Sequence, residues 1–123
     1  MSCCLTRLLG VEDARMLIEK MPRSQWTPVP REGTVGVTAR VMLNRAGLAI
    51  ANLKFSPGAT IDEHSAPFEI DVICTAGEGF VSVGNDSSAF RAGDRVVWPP
   101  GVNHRLWTEG TEMETLMVEH HGP

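Results

Sequence analysis

The spacing of apolar residues changes at Gly33. Before it, Val11, Ala14, Leu17, Ile18 and Met21 recur at intervals of three and four residues, the rhythm of one helix face. Glu12 and Asp13 suit the N-terminal end of a helix dipole and Lys20 its C-terminal end, while Gly10 precedes the run and Pro22 stops it. This pattern predicts a short helix over Val11–Met21. From Met21 to Gly33 the chain carries Pro22, Pro28 and Pro30, which predicts an extended proline-rich connector with Trp26 as its anchor on the body.

Beyond Gly33 the pattern shortens to β-type runs: Val35–Leu43, Gly47–Phe55, Phe68–Cys74, Gly79–Val83, Arg95–Trp98, His104–Trp107 and Met113–Glu119. Turn residues separate them at Ser56-Pro57-Gly58, Gly77-Glu78-Gly79, Gly84-Asn85-Asp86, Arg91-Ala92-Gly93 and Pro99-Pro100-Gly101. Many short strands with turn signals between them predict an all-β antiparallel sandwich or barrel. No βαβ alternation or internal repeat is present. A chain of 123 residues has room for one such domain, residues 33–123, preceded by the helix and arm of residues 1–32.

Composition narrows the functional classes. Apolar residues make up 42% of the chain and charged residues 21%, enough for a packed core and an ordinary solvated surface. The net charge of -4 gives no electrostatic reason to bind nucleic acid or an anionic membrane surface. No apolar run approaches the length of a membrane helix, and Met1 to Gly10 lacks a basic segment followed by an apolar one, so a cytoplasmic location is expected. Cys3, Cys4 and Cys74 form neither a disulfide framework nor a zinc-binding spacing.

Two stretches carry a more specific signal. Gly58 to Gly77 contains Gly58, five residues, then His64, with Gly77 closing the segment. After fifteen intervening residues comes Gly93, five residues, Pro99-Pro100-Gly101, two residues and His104. This pair resembles the two motifs of the cupin family: Gly, five residues, His-x-His, three or four residues, Glu, six residues, Gly; and Gly, five residues, Pro-x-Gly, two residues, His. The resemblance runs from Gly33 to about His120. It implies a double-stranded jelly-roll barrel whose mouth holds a metal or a small organic molecule, and a homodimer as the assembly. In metal-binding cupins the two His and the Glu of the first motif and the His of the second are ligands. Transferred by spacing, those positions are His64, Ala66, Ile70 and His104 here, so half of the ligand set is absent.

Two readings therefore stand. In the first, the barrel binds a small organic molecule in an apolar pocket centred on His64 and His104, with Ala66, Phe68, Ile70 and Trp107 as lining and Trp98 as a further wall residue. In the second, the chain is a metal-dependent oxygenase, isomerase or lyase. One divalent ion (iron, zinc, nickel or manganese) is then held by His64, His104 and a recruited carboxylate, with Glu69 the first choice and Glu63, Asp71 and Glu119 the others. Period-two alternation places Ala66, Phe68, Ile70, Val72 and Cys74 on the face of His64 and turns Glu69 and Asp71 away, unless Pro67 changes the parity.

No residue is assigned a catalytic role. Cys74 shares the inward parity, which permits a Cys–His pair, although a small buried hydrophobe has the same pattern. Met113, Leu116, Met117 and Val118 are expected to fill the interior or a dimer face, and His120 and His121 to be solvated. Arg40, Arg45, Lys54, Arg91, Arg95 and Arg105 are expected on the solvated surface. Phosphate-loop, nucleophile-elbow and helical zinc-protease motifs are absent.

Overall fold

The computed structural model describes residues 15–122. Its elements are β1 (Arg23–Pro28), β2 (Thr34–Arg45), β3 (Leu48–His64), β4 (Glu69–Val83), β5 (Asp86–Arg91), β6 (Arg95–Trp98), β7 (His104–Trp107) and β8 (Met113–His120). All pairings are antiparallel. Among the described residues no helix is long and apolar enough to cross a membrane.

Two long strands make this an enclosed body rather than a flat sheet. The first part of β3, Leu48 to Phe55, pairs with β2 on one side and β8 on the other, whereas Thr60 to His64 pairs with β7. Likewise, Glu69 to Gly77 of β4 lies against β8 and β6, and Glu78 to Val83 lies between β5 and β7. Each strand thus begins in one sheet and ends in the other. Their inward residues meet between the layers, where Leu53, Phe55, Val72, Cys74, Leu106 and Met113 are all at most 5% exposed.

The crossings fall at two clusters expected to be turns. At Ser56-Pro57-Gly58 the pairing slips from Val37↔Phe55 to Val35↔Thr60, so extra residues bulge out of β3 and the strand continues in the same direction. Gly58 supplies a positive φ of 72° there, and its N–H donates to Glu109 O at 2.6 Å. At Gly77 (φ 72°) an added Cβ would overlap the Glu112 carbonyl oxygen, so close backbone approach also requires glycine.

The N-terminal region differs from its pattern. Arg15 to Met21 is not helical, and Val11 to Ala14 of the expected helix lie outside the described residues. Met16, Leu17 and Ile18 are 78–86% exposed, so this part of the apolar stripe finds no surface to bury against among the described residues, and a single helix of that length is marginal in water. Part of the proline-rich connector forms β1, which pairs with β2 through Thr27↔Ala39 and Pro28↔Thr38. Trp26 anchors it, as the Lys54 ammonium and the Arg40 guanidinium lie 4.2 and 4.8 Å from its ring centroid. Asp86–Arg91, a strand without apolar alternation, pairs with β4 as β5.

Candidate functional site

His64 closes β3 and His104 opens β7, and the two are cross-strand partners. A register slip puts them on one face: Ile61 pairs with Leu106 and His64 with His104, so β3 spends one more residue than β7 over the same length. Without that bulge, alternation would turn His64 away from the Ile61 side. The rings meet edge to face with centroids 4.5 Å apart, and Nε2 lies 3.2 Å from Nε2.

The hydrogen bonds assign the protons. Nδ1 of His64 is 2.8 Å from the Asp62 carbonyl oxygen, which can only accept, so that nitrogen carries the hydrogen. In the neutral ring Nε2 of His64 is then the acceptor, and His104 donates to it from its own Nε2. This leaves Nδ1 of His104 buried and without a partner. His104 is 1% exposed and stacks on Trp98 at 3.7 Å, the planes only 8° apart. Burial pushes its pKa down to about 4, helped by the nearby charges of His64 and Arg31 and opposed by the neighbouring Val102 backbone. His104 is therefore neutral at physiological pH.

A cavity of about 200 Å³ opens beside this pair. Leu53, Ile61, Ile70, Trp98 and Met117 give it apolar walls, and its polar lining is His64, Arg31, Thr34 and Glu119. Of the expected lining residues, His64 and Ile70 are in place, whereas His104 contacts His64 and is not itself part of the lining. Ala66 and Phe68 do not line it: they sit in the link between β3 and β4, where strand alternation lapses, and Phe68 packs on the His121 ring at 4.3 Å. Trp107 is on the outer surface, because His104 and Leu106 take the inward places of β7. There it stacks on Phe80 at 5.6 Å and carries the Arg105 guanidinium 4.3 Å from its centroid. Trp98 does line the cavity. Arg31 and Thr34 escaped sequence reasoning, since only the folded β1–β2 connection brings them to the barrel.

Among the described residues the recruited carboxylate is not supplied. Glu69 is exposed and precedes the inward Ile70, so it lies on the outer face, and among the described residues no three His, Cys, Asp or Glu side chains are grouped to hold a metal. Asp71, also on the outer face, accepts from His120 Nε2 at 2.8 Å and pairs with Arg95 at 2.5 Å. The His120 hydrogen bond and the Arg95 contacts hold its carboxyl below the usual carboxylate range, against the upward pull of desolvation. Glu119 reaches the cavity wall but is held by His121 Nε2 at 2.9 Å. His120 and His121, expected to be merely solvated, are thus each tied to a carboxylate. Two imidazoles with Ala66 and Ile70 at the other ligand positions do not fit a resident transition metal, which takes at least three protein donors. Burial raises the Cys74 thiol pKa, which disfavours the thiolate a nucleophile needs.

The sequence profile of the Cupin domain family matches residues 52–119. Among curated proteins, none matches the chain in sequence. Solved structures share the fold at low identity. The polyketide cyclase RemF from Streptomyces resistomycificus is similar at 15% identity and a TM-score of 0.77, over 86% of this chain and 81% of that one. A cupin-2 domain from Rhodospirillum rubrum has 16% identity and a TM-score of 0.74, over 90% and 78% of the respective chains. An RmlC-like cupin from Shewanella frigidimarina has 19% identity and a TM-score of 0.71, over 85% and 93%.

Proposed function

Because the chain belongs to the cupin family, whose barrels enclose a hollow between two sheets, we propose that it binds a small organic molecule inside the barrel, against His64. One observation carries this reading: a cavity of about 200 Å³ with apolar walls lies beside a histidine pair with which no third metal donor is grouped among the described residues. That volume is below the roughly 300 to 1,000 Å³ of pockets for drug-sized ligands, so the molecule is a small one. His64 offers it a polar edge, and His104, neutral and stacked on Trp98, holds the His64 ring in place.

The second reading, a metal-dependent enzyme, has one observation in its favour. Two imidazole nitrogens about 2.1 Å from a common ion would stand about as far apart as the observed 3.2 Å. The hydrogen bond accounts for the same distance without an ion, and the missing donors favour the first reading.

Saturation-transfer NMR with indole and phenylacetate tests the pocket. Ala51 lines the cavity, so Ala51→Phe fills it, and Ala39→Leu does so more mildly. Transfer to either probe in the unsubstituted protein, lost in both folded variants, is the expected result. Transfer that survives both substitutions would place the binding elsewhere. Elemental analysis of untagged protein addresses the metal: a near-stoichiometric transition ion would reverse the preference between the two readings.

A further inference from the structure

The polar groups around the cavity are unequally satisfied. Glu119, the acceptor in the wall, is engaged by His121, and both nitrogens of His64 are engaged by Asp62 O and His104. The donors are not. Thr34 Oγ1 and Trp98 Nε1 are buried without a hydrogen-bond partner, and both residues belong to the wall. Arg31, in the connection between β1 and β2, lines the same cavity, and among the described residues no carboxylate lies within ion-pair distance of it. Unfilled donors and a free cation beside an apolar hollow call for a ligand rich in acceptors and negatively charged.

We infer that the molecule held in the barrel is a small apolar carboxylate, its headgroup paired with Arg31 and accepting from Thr34, and its hydrocarbon body packed on Leu53, Ile61, Ile70 and Met117. This rests on the barrel cavity being the binding site. The guanidinium fork suits a carboxylate better than a neutral carbonyl, because it donates two parallel N–H groups to the two oxygens. Arg31 is a specificity determinant in this scheme: it selects the headgroup, while the apolar walls hold the body whatever its charge. Glu119 sets the opposite bias and limits how tightly the anion binds.

Isothermal titration with phenylacetate and its neutral isostere phenylacetamide tests the inference on the full chain. The acid is expected to bind about tenfold more tightly than the amide, the value of one charge-assisted hydrogen-bonded pair. Arg31 is an exposed connection residue, so Arg31→Gln leaves the barrel intact; it should erase the preference while amide binding persists. Raising the salt concentration should shrink the preference, and Glu119→Gln should enlarge it. Equal binding of acid and amide, or a preference that survives Arg31→Gln, would overturn the carboxylate assignment and leave the pocket standing. Binding of neither probe, or binding unchanged by Ala51→Phe, would overturn the pocket itself and this inference with it.

Discussion

Four histidines stand in two pairs at the same end of this barrel, and the pairs behave differently. Inside, His64 and His104 face each other at 3.2 Å with no carboxylate engaged by either, and His104 is 1% exposed. Nearer the surface, His120 binds Asp71 at 2.8 Å and His121 binds Glu119, which also reaches the cavity wall, at 2.9 Å, and both imidazoles are about 40% exposed. The residue type is the same, but the surroundings differ. Loss of water drives the buried His104 imidazole to the neutral form, and the neighbouring His64 adds to the effect. His64, held by His104, is thus suited to line a binding cavity, and the outer pair ties the end of β8 to its surroundings.

The largest expected consequence of this contrast is in acid. His104 has a folded pKa near 4 against an unfolded value of 6.5. The folded state therefore keeps its full stability above about pH 6.5 and loses it as the pH falls towards and through 4, because the unfolded chain takes up a proton that the native ring refuses. The loss is on the order of 3 kcal/mol. Urea unfolding measured from pH 7 to pH 4 should show it, and His104→Phe, which retains a flat ring against Trp98 but cannot titrate, should flatten the slope. An unchanged slope in that variant would assign the pH dependence to other groups.

The outer pair should respond in a different window. Asp71 has a depressed carboxyl pKa, so its contribution is present above the unfolded value and is lost as the pH falls through the folded one, below the range in which His104 acts. At neutral pH, Asp71→Asn should cost about 1 kcal/mol, since it weakens charge-assisted bonds to His120 and Arg95 at a half-buried position. Equilibrium unfolding at pH 7 and pH 3 checks this, with the variant and the parent expected to converge at the lower pH. A penalty that stays constant across that range would mean Asp71 acts through shape and not charge.

How much of this could be read in the chain depends on whether a feature is local. The second motif was legible because Gly93, Pro99-x-Gly101 and His104 each specify a local conformation, and Gly101 has the positive φ (73°) that its place in the bend requires. Ser56-Pro57-Gly58 and Gly77-Glu78-Gly79 were legible as breaks but not as crossings. A glycine at positive φ permits both a reversal and a bulge, and only pairing with distant strands decides between them. Trp107 was misplaced although alternation counted from His104 already turns it outward. Ala66 and Phe68 fell in a link where alternation has no force. Arg31 and Thr34 carried no signal, because their nearness to the cavity arises from the β1–β2 pairing across a segment that reads as a connector. Over Arg15–Met21 the expected helix is not formed, for the reverse reason: its amphipathic pattern is clear, but among the described residues Met16, Leu17 and Ile18 have nothing to pack on.

The smallest effect sharpens the contrast most. Glu119 and His121 form an exposed pair, with side chains 35% and 39% exposed, so the carboxylate charge is screened by water and should add little to stability. Glu119→Gln keeps the shape and an oxygen acceptor while removing the charge. Its cost should lie within about 0.5 kcal/mol at low salt and vanish near 1 M, where the screening length is about 3 Å. Chemical denaturation at the two salt concentrations measures it. A loss above about 1 kcal/mol that persists at high salt would show that Glu119 is held in a desolvated site like that of His104, and the division between an inner cavity pair and an outer tethering pair would no longer hold.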